Sequence, residues 1–256
     1  TKGTLSVGDS VVAKIDLLFR SNIEKNHSAV HLLQWALREV CGSSISQQGS
    51  YLDAEKLRFD FLYSKPLSKV EIHRLEQLVN EKIAANLPVI IYEKPYQFIA
   101  DDSSILQFFG DKYQDFVRIV DMGFSKELCG GTHVQQTGSI GFFKIIKEAA
   151  VAKGVRRIEA KTSLAALSYV QEEETTLATI QAMLKVPKGG IVARLVKEQE
   201  EKHELQQAIK QQEKKARDQL QQDLLQQAVQ SAIVETIAIP IKELAAVADG
   251  LAKLFP

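Results

Sequence analysis

Asn26-His27-Ser28-Ala29-Val30-His31-Leu32-Leu33 carries two imidazoles four residues apart, inside a run with helical periodicity. Residues four apart on a helix share a face. His27, His31, Gln34 and Arg38 then form one polar stripe, and Ala29, Val30, Leu33, Ala36, Leu37 and Val40 fill the buried side. The pattern predicts a helix from about Ile23 to Val40, stopped at Gly42. The same spacing recurs in Cys129-Gly130-Gly131-Thr132-His133, where two glycines favour a tight loop or helix entrance over a helix interior. One such pair can arise by chance, and a lone buried cysteine is usually a small hydrophobe. Both pairs together supply three imidazoles and one thiolate, in a chain with five histidines and two cysteines. That is a zinc inventory. Calcium and magnesium are disfavoured because no carboxylate cluster accompanies the ligands.

Around these segments, strands and helices alternate irregularly. Val11 to Asp16 reads as a strand after a Gly-rich turn. Tyr51 to Leu62, with Leu57, Phe59 and Phe61 alternating with Arg58 and Asp60, reads as a half-buried strand. Ser68-Lys-Val-Glu71 is a capping-box pattern opening a helix that buries Ile72, Leu75, Val79 and Ile83 and ends by Pro88. Val89 to Tyr92 and Phe116 to Val120 are expected strands, with a short helix over Ser103 to Phe109 between them. Ile140 to Lys147 and Val155 to Thr162 read as a strand pair around Gly154. The mixture predicts an α+β domain with a mostly antiparallel sheet. Beyond Thr162 the residues are rich in Ala, Leu, Gln, Glu and Lys, broken only by Pro187-Lys-Gly-Gly190, so a long helical hairpin is expected. Its charged face from Lys197 to Glu204 reads as solvated surface.

The chain of 256 residues has a formal net charge of zero, so any nucleic-acid contact must be local rather than a bulk electrostatic effect. Cys41 and Cys129 sit in dissimilar contexts and suggest no disulfide framework. Absence of a signal peptide and of an eighteen-residue apolar run points to the cytoplasm. The opening on Thr1 is what a fragment would show.

Four segments, His27-Ser-Ala-Val-His31-Leu-Leu, Leu57-Arg-Phe-Asp-Phe61, Glu127-Leu-Cys-Gly-Gly-Thr-His133 and Gly154-Val-Arg-Arg-Ile-Glu-Ala160, resemble the editing domain of alanyl-tRNA synthetases. The resemblance runs from about Gly3 to Thr162 and continues more loosely beyond. It is shared with free-standing alanyl-tRNA editing proteins and, more loosely, with threonyl-tRNA synthetases. It implies a division into the end of a β-domain (1–20), a zinc-containing editing domain (21–162), a helical linker (163–235) and the start of a C-terminal domain (236–256). The implied substrate is the acceptor end of alanine-specific tRNA wrongly charged with serine or glycine, with homodimerisation through the helical region. A glycine-rich GGQ-type segment upstream of HxxxH and a class II catalytic core are both missing, so alanine activation and ATP binding are not expected.

The same resemblance makes His27, His31, Cys129 and His133 the metal ligands and puts Gln47 in the editing pocket; a solvent-facing loop glutamine is the plain alternative. Thr132, between the ligands, faces either substrate or a cap. Asp121 either orients a ligand imidazole from behind or caps a turn. Lys153, Arg156 and Arg157 are candidate phosphate contacts, although alternation puts the two arginines on opposite faces, one of them a partner for Glu148 or Glu159. Two further readings stay open: a free-standing deacylase, and a non-catalytic zinc-stabilised tRNA-binding or dimerisation module. An unrelated metallohydrolase is disfavoured because HxxxH lacks the glutamate of HExxH.

Overall fold

The computed structural model describes residues 3, 4, 6–107, 114–230 and 241–252. They fall into two compact units, Thr1–Thr175 and Thr176–Pro256. The first opens with helix α1 (Leu17–Cys41), followed by strands β1 (Gln47–Leu52) and β2 (Leu57–Leu62), helix α2 (Lys69–Ala84) and strand β3 (Ile90–Pro95). Strands β4 (Phe116–Asp121), β5 (Lys126–Leu128), β6 (Phe143–Ala152) and β7 (Val155–Thr162) complete it, and helix α3 (Ser163–Leu184) leads out. One sheet has the order β1-β2-β7-β6 and the other β3-β4-β5. Every pairing within both is antiparallel. The architecture is α+β, as the sequence predicts.

The core follows from strand alternation meeting helix periodicity. Leu57, Phe59 and Phe61 point one way from β2 and are fully buried, with Ile158 and Ala160 of β7 beside them. Ala29, Leu32, Leu33, Ala36 and Leu37 of α1 and Leu75 and Val79 of α2 close over that face. A second, smaller cluster of Ile99, Ile105, Val117, Ile119 and Leu128 serves the β3-β4-β5 sheet. The capping box at α2 forms: Ser68 Oγ accepts from Glu71 N–H (3.2 Å) and Glu71 accepts from Ser68 N–H (2.7 Å). Strand β6 is an edge, and α2 covers it. Asn80 exchanges hydrogen bonds with the backbone of Phe143 (2.9 and 3.0 Å), while Glu76 accepts from Ile145 N–H (2.9 Å).

Three local expectations are corrected. Val11–Asp16 forms no strand; Val11, Val12 and Ile15 are exposed and no described strand pairs with them. Alternation alone does not make a strand when its backbone groups have no ladder to join. Helix α1 begins six residues earlier than periodicity suggests, because Asp16 accepts from Phe19 N–H (2.9 Å) as its N-cap. The expected helix at Ser103 is replaced, over the described residues, by turns in which the Asp102 carboxylate accepts from the N–H and hydroxyl of Ser104 (2.9 and 2.6 Å). Such a local bond competes with helix formation; residues 108 and 109 lie outside the described set. Tyr51 to Leu62 is a hairpin rather than one strand, turning where Asp53 accepts from the N–H groups of Glu55 and Lys56.

In the second unit, α4 (Ile191–Gln230) follows the break at Lys188–Gly190, and α5 (Ile241–Ala252) packs on α4 with Val247 buried. Leu195, Leu205 and Ile209 are exposed, and the charged residues nearby form i,i+4 pairs such as Arg194–Glu198. No helix of the described residues is long and apolar enough to cross a membrane.

Asn26 locks α1 to the sheet one residue before the first imidazole. Its Nδ2 donates to Asp53 O (2.8 Å) and its Oδ1 accepts from Thr162 Oγ1 (2.8 Å), with the residue 1% exposed. Asn26→Ala leaves the buried Thr162 hydroxyl and the half-buried Asp53 carbonyl without this partner and is expected to cost roughly 1–3 kcal/mol, read as a lower urea midpoint.

Candidate metal centre

Two rigid deliveries meet at one point. Helix α1 presents His27 and His31 one turn apart, and the β4–β5 hairpin carries the chain to Cys129. The loop after β5 is pinned by Arg118 of β4: its Nη1 donates to Cys129 O (2.8 Å) and Gly131 O (2.6 Å), and Cys129 N–H donates back to Arg118 O (3.0 Å). Gly131 lies against the His27 imidazole, so a Cβ there would fall on ring atoms Cε1 and Nδ1. The adjacent Gly130 faces open space.

One ligand atom from each of His27, His31, Cys129 and His133 comes within 4.8 Å of all the others. Cys129 Sγ lies 3.4 Å from His27 Nε2 and 3.4 Å from His133 Nε2. Ligands at 2.0–2.3 Å from a tetrahedral zinc stand roughly 3.3–3.8 Å apart, so the two separations of Cys129 from His27 and His133 fit. The second nitrogens support the same arrangement. His31 Nδ1 bonds to Glu127 Oε2, leaving Nε2 buried without a hydrogen-bond partner. Glu127 is 2% exposed and is itself held by Ser125 Oγ (2.9 Å). His133 Nδ1 bonds to Ser28 Oγ (3.2 Å), which also accepts from Val134 N–H (3.1 Å). Fixing the outer nitrogen sets the tautomer and aims the inner lone pair.

The electrostatics of the metal-free cluster are those of a thiolate among imidazoles. Burial works against ionisation of Cys129, but hydrogen bonds from His133 and His27 and the positive charge of His31 overcome it and bring the thiol down to about 3. Burial also opposes charge on His31, yet the Glu127 carboxylate prevails and raises it to about 10. Burial dominates at His133 and lowers it to about 4. These shifts set how the metal-free chain responds to pH. The His31 contribution to stability is complete below its ordinary 6.5 and disappears as pH rises through about 10. The Cys129 contribution is complete above 9.0 and fades as pH falls towards about 3; burial of neutral His133 adds an acid-side loss between 6.5 and about 4. Between 6.5 and 9.0 the changes from His31 and Cys129 offset. The metal-free protein should therefore show a flat urea midpoint in that window, falling on both sides.

The other residues singled out in the sequence lie elsewhere, apart from Thr132. Asp121 caps a turn through Gly123 N–H (2.8 Å) and pairs with Lys126 (3.1 Å); the carboxylate on an imidazole is that of Glu127. Gln47 sits on β1 and donates to Ser50 Oγ (3.0 Å). Both arginines are engaged, Arg156 with Glu148 (2.5 and 2.6 Å) and Arg157 with Asp60 (2.7 and 2.6 Å). Lys153 is exposed in the β6–β7 turn. Glu127, Ser28, Arg118 and Asn26 escape the sequence reading. Only Glu127 leaves a signal there: an acidic residue directly before Leu128 and Cys129, leading into the second histidine–cysteine segment, is a candidate buried charge awaiting a partner.

Thr132 opens on a cavity of about 470 Å³ that starts at His27, Gly131 and Thr132 and runs along α1 past Ile23, Arg20 and Phe19. The cluster is thus reachable from one side.

Residues 117–159 match the family described as threonyl and alanyl tRNA synthetase second additional domain. The alanine–tRNA ligase of Burkholderia vietnamiensis is 47% identical over 208 residues, covering 81% of this chain and 24% of that protein. That of Dichelobacter nodosus is 48% identical over 214 residues, covering 82% of this chain and 24% of that protein. The chain spans about a quarter of the length of these relatives.

Proposed function

Because this chain belongs to the alanyl-tRNA synthetase family, as a segment about a quarter of its relatives' length, we propose that it carries an editing site hydrolysing seryl and glycyl esters of alanine-specific tRNA. The observation that carries this reading is the four-ligand cluster opening through His27 and Thr132 onto a cavity. Need for such a site follows from the limits of pocket discrimination. A pocket built for alanine cannot exclude the smaller glycine by size, and rejects an added hydroxyl only weakly. A second site that hydrogen-bonds the serine hydroxyl refuses alanine, which would leave that group unpaired.

His27, His31, Cys129 and His133 would hold zinc, which supplies Lewis acidity towards an ester carbonyl or a water molecule. The chain's own residues position the rest. Thr132 lines the cavity beside His27, and its hydroxyl would orient the acyl group. Gln47 is retained as a pocket residue by resemblance; its present bond to Ser50 must open for it to act. Hydrolysis forms a bond from water oxygen to the acyl carbon, breaks the bond to the ribose oxygen, and returns a proton to that oxygen. In this reading residues 21–162 are the editing domain, 163–235 the helical linker and 236–256 the start of the C-terminal domain, and Lys153, Arg156 and Arg157 are placed towards tRNA.

Four protein ligands would close a tetrahedral site, which favours a second reading in which the metal is structural. Deacylation of seryl-tRNA and alanyl-tRNA, both on alanine-specific tRNA, separates the two. Zinc-loaded wild type should hydrolyse the seryl ester alone, and Cys129→Ala should lose both metal and activity. Bound zinc without hydrolysis of either ester would overturn the catalytic reading.

A further inference from the structure

Arg20 lies seven residues before His27 on α1, about 10 Å along the axis, and lines the same cavity. Among the described residues no carboxylate pairs with its side chain, unlike Arg156 and Arg157, whose guanidiniums are held by Glu148 and Asp60. Asp16, the other charged group on the cavity wall, is committed as the α1 cap through Phe19 N–H (2.9 Å). Ile15, Phe19 and Ile23 give the remaining wall an apolar character, and Phe19 is 55% exposed. An unpaired guanidinium beside an exposed aromatic ring at one end, and the ligand cluster at the other with Ile23 between, form a site of distinct parts: anion and flat apolar group together, ester apart.

We propose that Arg20 binds the phosphodiester of the terminal nucleotide, with Phe19 against its base, so that the ester it bears reaches His27 and Thr132. This rests on the editing reading above. A guanidinium suits a phosphate because its planar fork matches two oxygens at once. In a chain of zero net charge, one well-placed cation has to do what bulk attraction cannot. The roughly 10 Å step from Arg20 to His27 is on the scale that separates a nucleotide's 5′ phosphate from its 3′ ester. Arg20 is thus a positioning residue for the substrate rather than a participant in bond breaking.

The test uses two non-hydrolysable probes, 3′-serylamido-adenosine with a free 5′-hydroxyl and the same compound bearing a 5′-methyl phosphodiester. Calorimetric titration of the zinc-loaded chain should show the phosphodiester form binding about tenfold more tightly, the size of one hydrogen-bonded charge contact. Arg20→Gln should erase that preference while binding the phosphate-free probe as wild type does and retaining full zinc content. Arg20→Lys should restore part of it. Equal loss of both probes in Arg20→Gln, or a preference that survives the substitution, would overturn the assignment. Tight binding of both probes by wild type without preference would overturn Arg20 alone and leave the editing reading standing. Failure of wild type to bind either probe would overturn both.

Discussion

Gly131→Ala should abolish tight metal binding while leaving the fold in place. The new Cβ would occupy the position of His27 Cε1 and Nδ1, and those atoms belong to a ring on a helix that cannot retreat. Helix α1 is anchored one residue earlier by Asn26, and the loop is fixed from the other side by Arg118. With neither partner free to move, His27 must leave the cluster. Loss of a ligand should exceed the roughly 10–100-fold cost in affinity of losing an outer-shell partner. Gly130→Ala is the internal control, since its Cβ would meet nothing within 4 Å. Competition with a chromophoric chelator would show near-wild-type affinity for Gly130→Ala and collapse for Gly131→Ala, with far-ultraviolet circular dichroism unchanged in both.

Glu127→Ala should be the most damaging change that replaces none of the four cluster residues. The carboxylate is 2% exposed and partners a histidine that is itself 6% exposed. Removing one side of a buried ionic pair costs about 3–5 kcal/mol, because the other side is left uncompensated. In the metal-free chain this should appear as a large drop in urea midpoint, fullest below pH 6.5, where the whole His31 contribution to stability is present. In the loaded chain, loss of the bond to His31 Nδ1 should cost roughly 10–100-fold in zinc affinity. Glu127→Gln keeps an acceptor for Nδ1–H but no charge, so its effect should be smaller on both counts. Equal effects of Ala and Gln would mean that charge alone, not shape or hydrogen bonding, is what Glu127 supplies.

The four-residue cluster was legible in the sequence because its spacing is written twice, and helix periodicity plus two glycines say which pair lies on a helix and which on a loop. The Phe59–Phe61 alternation and the Ser68–Glu71 capping box were readable for the same reason: each is a local pattern with a local cause. What stayed hidden depends on residues far apart in sequence. Asn26 finds Thr162, Arg118 finds the carbonyl of Gly131, and Asn80 finds the edge of β6. None of these pairings has a period to detect. The start of α1 was missed because a cap at Asp16 overrides a weak apolar pattern from Leu17 to Ser21. The strand expected at Val11 failed for the converse reason, a good pattern without a partner. Asp121 and Glu127 illustrate the limit most clearly: both acidic residues flank the β4–β5 turn, and only the register of that hairpin decides which one faces His31.

X-ray absorption at the zinc edge tests the central claim most directly, because the account stands on four side chains from two distant segments forming one centre. The zinc-loaded chain should give a first shell of three nitrogens at about 2.0–2.1 Å and one sulfur at about 2.3 Å. Cys129→Ser should lose the sulfur contribution. A first shell of oxygens, or a sulfur signal that survives in Cys129→Ser, would contradict the centre described here.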